Sequence, residues 1–312
     1  MNNTLVTLFG AGGFVGRYVA QALLAAGARV RIAERDPRRA FFLKPLAGLG
    51  QTQFVAADIT RRDSVERAVD GADWVVNLVG TFGPDLHAVH VDGARFVAES
   101  AATAGAKALV HLSANGADPA SDSAYGRSKG VGEAAVRAGY PAATILRPSI
   151  IFGREDQFTN RFAKMIETLP VVPVLRAQAK FQPVYVGDVA DAVVAALQDL
   201  GRFGGQTYTL GGPDVMTMGA IQRFLARETG REKSFIELPD AAGALIARLG
   251  FLPGAPITWD QWLMLGHDNV VPADDRGLST FGIVPTPMAS VAPEWLVIYR
   301  KGGRFGARPE PA

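Results

Sequence analysis

Leu5-Val-Thr-Leu-Phe-Gly10-Ala-Gly-Gly13-Phe-Val-Gly16-Arg-Tyr-Val-Ala-Gln-Ala-Leu-Leu24 decides the fold of this chain. Its first residues are apolar and β-branched, as in a buried strand. A glycine cluster ends the run, and Val15, Val19 and Leu23 then recur at helical spacing. Strand, glycine turn and helix in direct succession predict a binding place for a diphosphate. Gly10 can turn the chain with positive φ, and Gly13 lets backbone approach the phosphates. Gly16 lets the helix pack close to the strand. The helix start at Phe14 and Val15 offers free N–H groups and the positive end of its dipole. The bland alternative is an ordinary glycine turn.

Ala28-Arg-Val-Arg-Ile-Ala-Glu34-Arg35 alternates like a second strand, one crossover helix later, which makes a βαβ unit. Glu34 stands where an acidic side chain would accept both ribose hydroxyls of NAD. Arg35, helped by Arg38 and Arg39, could instead pair with the 2′-phosphate of NADP. A solvated strand end with charges of both signs is the third option, so the choice between NADP(H) and NAD(H) stays open.

Composition bounds the rest. The 312 residues, 48% hydrophobic and 20% charged, describe one large globular domain or two closely joined ones. A net charge of +2 gives no strong field, so no nucleic-acid partner is expected. The absence of cysteine excludes disulfides, thiolate catalysis and Cys-ligated metal. It suits a reducing compartment, and a cytoplasmic location is expected. The first strand begins by Thr4, leaving no room before it for a signal peptide. No apolar run reaches about 18 residues without a charge, so no transmembrane segment is expected; Ala241 to Ile257 comes nearest.

Gln53 to Thr60 reads as a third strand and its turn. Thr60 with Asp63 makes a plausible helix cap, which leaves Asp58, next to Ile59, for another role or for the turn itself. Asp73 to Gly80 is a fourth, central strand that sets Val79, Gly80 and Thr81 at its carboxyl end, where ligands bind in open α/β sheets. A helix follows from Leu86 to Ala104. It carries His87 and His90, but no further ligands lie nearby, so no metal is expected.

Ala108 to Ser113 is the fifth strand, and Ser123-Ala-Tyr125-Gly-Arg-Ser-Lys129 opens the next helix. Tyr125 and Lys129 share a helical face. A tyrosine of ordinary pKa needs a neighbouring cation before it can exchange protons at neutral pH. Lys129 could supply that cation and also hold the nicotinamide ribose, while Ser113 could bond a substrate oxygen. The same residues could equally hold a cofactor without turnover.

Ala142 to Gly153 is a sixth strand with its exit at Pro148, beside Ile150. Gln157 to Glu167 is helical and stopped by Pro170 and Pro173. Phe181 to Asp188 returns to the sheet, Asp188 caps a helix to Leu197, and Gln206 to Gly212 is a late strand. Helices over Met218–Glu228, Ala241–Leu249 and Asp260–Leu265 form a smaller C-terminal lobe. The expected organisation is a doubly wound α/β Rossmann domain over 1–150 with 181–212 returning to it. The smaller substrate or partner lobe takes 151–180 and 213–302, and 303–312 is a flexible, basic tail.

The G-x-x-G-x-x-G spacing resembles that of extended and atypical short-chain dehydrogenase/reductases. Phe42-Leu-Lys-Pro-Leu46, His90-Val-Asp-Gly-Ala-Arg95, Ser113 to Lys129, Leu146 to Phe162, Phe181 to Val189, Leu210-Gly-Gly-Pro213 and His267-Asp-Asn-Val-Val271 narrow the likeness. The chain resembles the nucleotide-binding accessory subunits of respiratory complex I (the alpha subcomplex subunit 9 family of NADH:ubiquinone oxidoreductase) and their bacterial relatives. That resemblance implies a bound NADP(H) or NAD(H), often without turnover. It also implies complex I subunits as partners and a peripheral place on the inner membrane. With it come cofactor contacts at Gly10, Gly13, Phe14, Val15, Gly16, Glu34, Arg35, Asp58, Ile59, Val79, Gly80, Lys129, Pro148 and Ile150, Asp58 meeting the adenine amino group. Ser113, Tyr125 and Lys129 are all present, whereas members of this branch often lack part of that set. This leaves an active oxidoreductase or epimerase as the alternative.

Overall fold

The computed structural model describes residues 1, 3–252, 255–272 and 276–305. The chain divides into two units. The first comprises Met1–Pro148, Val186–Leu210 and Pro272–Val284, and the second Ser149–Tyr185, Gly211–Val271 and Pro285–Ala312.

The first unit is built on β1 (Leu5–Phe9), α1 (Phe14–Ala25), β2 (Arg29–Glu34), β3 (Thr52–Ala56), α2 (Arg62–Val69) and β4 (Trp74–Asn77). A π-helical turn, Ala88–Gly93, leads into α3 (Ala94–Thr103), followed by β5 (Ala108–Leu112), α4 (Ala124–Gly139) and β6 (Thr144–Pro148). With the strand Thr207–Leu210 they make one seven-stranded sheet, ordered β3-β2-β1-β4-β5-β6 and then Thr207–Leu210. Every pairing in it is parallel. The strand order reverses between β1 and β4, and such a switch point opens a crevice at the strands' carboxyl ends. Helices cover the sheet, so β5 is buried along its whole length while edge strand β3 is not. Phe9, Val65, Val75, Val97, Leu109 and Val136 pack as one cluster beneath α2, α3 and α4.

The second unit pairs Val171–Leu175 with Ser234–Leu238 in parallel. Its core gathers Phe152, Ile166, Val174, Phe181, Ile221, Leu225 and Trp295. Gln182 binds several of its loops together. Its amide nitrogen donates to Gly212 O (2.8 Å), and its amide oxygen accepts from Val271 N–H (2.9 Å). Ser149 Oγ donates to Asn269 Oδ1 (2.5 Å), and Lys180 N–H donates to Asp268 Oδ1 (2.9 Å).

Several expectations need correction. Thr60 and Asp63 form no cap: Arg61 precedes α2 without a side-chain bond, and the Thr60 hydroxyl turns back to Asp58. Asp188 lies inside the first turn of a helix that begins at Val186, because the apolar pattern already runs through Val186. Phe181 to Tyr185 does not rejoin the large sheet. Val184–Tyr185 pairs with Ile151–Phe152 in the second unit, which also holds 211–212. Pro173 sits within the strand Val171–Leu175, so it does not simply stop the preceding helix. Residues 272–284 belong to the first unit, not to the smaller lobe. Of the expected tail, 306–312 lie outside the described residues.

Candidate nucleotide site

The glycine turn lies at the carboxyl end of β1, beside the switch point. Gly10 adopts φ +86°, a left-handed value that only glycine takes without strain. A Cβ on Gly16 would overlap the Gly10 carbonyl oxygen, so helix and turn touch backbone to backbone. Gly13 is exposed, precedes α1 and gives no side-chain cap, and no acidic side chain occupies the first turn. The N–H groups of that turn therefore have no competing carboxylate on their own helix, which suits them to an anion. Val79, at the exit of β4, packs on Gly10: a Cβ there would be 3.4 Å from Val79 Cγ2.

Glu34 ends β2 and reaches this turn. Its Oε1 accepts from Gly12 N–H at 2.6 Å, which holds the carboxylate beside the glycine turn. Arg38 is committed to Asp36 through two bonds of 2.8 and 3.0 Å, and that guanidinium holds the Asp36 carboxyl below its usual range. Arg35 and Arg39 are exposed. Asp58 Oδ1 accepts from Thr60 N–H (3.0 Å) and from the Thr60 hydroxyl (2.8 Å), so this oxygen organises its own turn. Buried Ile59 lies against Gly93.

Ser113 follows the end of β5, Tyr125 and Lys129 stand in the first turns of α4, and Lys129 reaches back to the end of β5. The N-cap Ser123 Oγ accepts from Gly126 N–H (3.1 Å), which fixes the start of α4. Lys129 is buried, and its Nζ donates to Leu112 O at 3.2 Å. Desolvation lowers its pKa to about 8 despite the opposing charge of Glu133. Glu133 is in turn held by Arg147 through bonds of 2.8 and 2.6 Å. Ser113 is buried and its hydroxyl has no hydrogen-bond partner among the described residues. Such an orphan is costly unless a ligand completes it. The half-buried Tyr125 ring stacks on Phe82 (centroids 4.3 Å, 14°) and meets His90 edge-on at 5.4 Å. Burial pushes its hydroxyl up to about 12.

Pro148 closes β6, its carbonyl accepting from Asn115 N–H (2.8 Å). Ile150 falls in the second unit, where its carbonyl accepts from Val184 N–H (3.0 Å).

Two polar groups, Asn77 and His111, escaped sequence reasoning, and His90 was singled out there only as a metal candidate. His90, in the π-helical turn, bonds Thr81 and Ser128; Asn77 Nδ2 lies 3.3 Å from His111 Nδ1, both buried within the sheet. Histidine inside an apolar strand, as in Ala108-Leu-Val-His-Leu112, was the one available signal. His87 is exposed and pairs with Asp92 (3.2 Å), whereas His90 is buried. Among the described residues no group of three or more His, Asp or Glu is placed to hold a metal. No helix among them is long and apolar enough to cross a membrane.

Comparison with known proteins places this geometry in a family. The chain is 35% identical over 297 residues to the mitochondrial NADH dehydrogenase [ubiquinone] 1 alpha subcomplex subunit 9 of Mus musculus, covering 92% of this chain and 78% of that one. It is 32% identical over 271 residues to a ceramide reductase of Caulobacter vibrioides, covering 81% and 80%. An Escherichia coli NADPH-dependent quinone oxidoreductase, QOR2, solved with NADPH, shares the fold at a TM-score of 0.76 and 19% identity, with 93% and 99% covered. A family model matches residues 6–211, from β1 through the last strand of the large sheet. The chain belongs to the NAD dependent epimerase/dehydratase family and is an atypical short-chain dehydrogenase/reductase similar to the complex I subunit.

Proposed function

We propose that this chain holds a pyridine nucleotide as an accessory or assembly subunit of respiratory complex I, peripheral to the membrane on its cytoplasmic side. The observation that carries the reading is the backbone-close glycine turn with Glu34 bonded to it, on a chain similar to a complex I subunit over 92% of its length. The residues fit the cofactor. Gly10 to Gly16 would receive the diphosphate, Glu34 the adenosine ribose hydroxyls, and Lys129 with Gly80 the second ribose. Glu34 favours NAD(H), because a carboxylate fixed at the ribose repels a 2′-phosphate and Arg38 is already engaged by Asp36. The test is isolation of the tagged protein from its own membranes. Complex I subunits and a bound nucleotide in the same fraction support the reading; a nucleotide-free protein without them overturns it.

One observation favours a second reading as an oxidoreductase. The orphan hydroxyl of Ser113 lies at the end of β5, opposite the start of α4 with Tyr125 and Lys129, and the chain is also similar to a ceramide reductase. A nicotinamide would supply the hydride. Ser113 would orient a substrate oxygen, Tyr125 would exchange its proton, and Lys129 would hold positive charge near the phenol. On this reading Tyr125→Phe abolishes turnover and spares nucleotide binding. Turnover unchanged in the variant overturns it.

A further inference from the structure

Thr81 leaves β4, and its N–H donates to His90 Nε2 at 3.0 Å. The other ring nitrogen of His90 faces Ser128 Oγ at 2.8 Å, and the Ser128 hydroxyl donates to Tyr125 O at 2.9 Å. A ring nitrogen that accepts an N–H carries no proton. His90 is therefore neutral, with its proton on Nδ1, the tautomer that donates to Ser128. Every polar atom in the relay has one role, and none is left over.

The backbone around the ring is equally constrained. His90 lies in the π-helical turn Ala88–Gly93, and such turns recur at functional sites. A Cβ on Gly132 would overlap the His90 carbonyl oxygen, so α4 presses directly on this turn. A Cβ on Gly80 would lie 3.3 Å from Lys129 Nζ and 3.6 Å from His90 Nε2. Loop backbone, ammonium and imidazole thus meet at one point.

We propose that His90 is a positioning residue for the nicotinamide half of the nucleotide site, tying the loop Gly80–Thr81 to the first turns of α4 and so setting Lys129 against that loop. The adenosine half, formed by Gly10–Gly16 and Glu34, has no part in this link. The assignment rests on the nucleotide-binding reading above, and it makes the two halves separable by experiment.

The full chain is titrated with NADH and, separately, with ADP, which carries only the adenosine and diphosphate. His90→Asn shortens the side chain and removes the acceptor for Thr81 N–H. Its affinity for NADH falls about tenfold while that for ADP changes less than about twofold, the loss of one bond confined to one half. His90→Gln, whose amide oxygen reaches as far as Nε2, recovers part of the NADH affinity. Should His90→Asn fold poorly, Ser128→Ala cuts the same relay at its other end and gives the same selective loss. The exposed His87→Gln leaves both affinities unchanged. Equal losses for NADH and ADP, or no loss for either, overturn the role of His90 while the nucleotide reading stands. A parent protein that binds neither probe overturns the nucleotide reading, and His90 with it.

Discussion

At the residue scale, one missing side chain and one carboxylate shape the candidate nucleotide site. Gly16 is required by contact, since any Cβ there meets the Gly10 carbonyl. Gly16→Ala must push α1 off the sheet, costs about 3 kcal/mol as an overpacked backbone contact, and abolishes nucleotide binding. Thermal unfolding and an NADH titration check both; an alanine variant as stable as the parent refutes the close approach. The proposed role of Glu34 rests on charge. Glu34→Gln keeps an acceptor for Gly12 N–H but removes the repulsion of a 2′-phosphate, so the ratio of NADPH to NADH affinity rises about tenfold. An unchanged ratio means that Glu34 does not read the ribose. The close approach at Gly16 and the place of Glu34 were legible in the sequence, because a glycine at a strand–helix junction and an acid at the end of the second strand follow from local pattern. The bond from Glu34 to Gly12 was not, since it joins the end of β2 to the turn after β1, 22 residues earlier, and neither was the commitment of Arg38 to Asp36.

At the element scale, six expected strands of the large sheet and the strand at Thr207–Leu210 appear where the sequence placed them, while Phe181 to Tyr185 pairs elsewhere. Period-2 and apolar runs mark buried strands wherever they occur. What pattern could not supply was the π-helical turn inside the long helix after β4, because one inserted residue barely disturbs an apolar periodicity. That turn buries His90, and β5 buries His111. Both are pushed from the usual histidine value to about 3, by burial first and then by the charge of Lys129. The sign follows from linkage. The folded state keeps these rings neutral down to about pH 3, whereas the unfolded chain protonates them near 6.5. Between those values the unfolded state binds more protons, so stability rises with pH and is lost as acid is added. Melting curves taken from pH 7 down to 4 show this decline. His90→Gln removes one of the two groups from the balance, so its stability falls less steeply over the same range. Equal slopes for variant and parent contradict the buried neutral imidazole.

At the scale of the whole molecule, the chain threads between its units more often than composition or linkers reveal. No Pro- or Gly-rich spacer marks the crossing at 185, only a short Gly211-Gly212-Pro213 turn follows the one at 210, and the described residues of the last return, 272–284, carry no strand that periodicity could announce. Its purpose is visible only in three dimensions. Arg276 O accepts from Thr209 N–H (3.1 Å), which satisfies the outermost strand of the large sheet along its open edge. Phe281 then stacks on Phe203 (centroids 4.6 Å) and meets Tyr208 (4.7 Å), while Leu278 is buried beside them. An uncovered edge with two aromatic rings beneath it invites pairing with other chains. A fragment ending at Leu210 keeps all seven strands and the entire glycine turn, yet exposes this edge and these rings. It is expected to be less stable than the full chain and to aggregate at concentrations where the parent stays dispersed. Phe281→Ala isolates the packing part of that effect and costs about 2 kcal/mol, the range for a half-buried aromatic contact. Denaturant unfolding of the variant and light scattering of the fragment measure the two contributions separately. A fragment 1–210 that is as stable and as dispersed as the full protein would show that the sheet needs no cover from the distant segment.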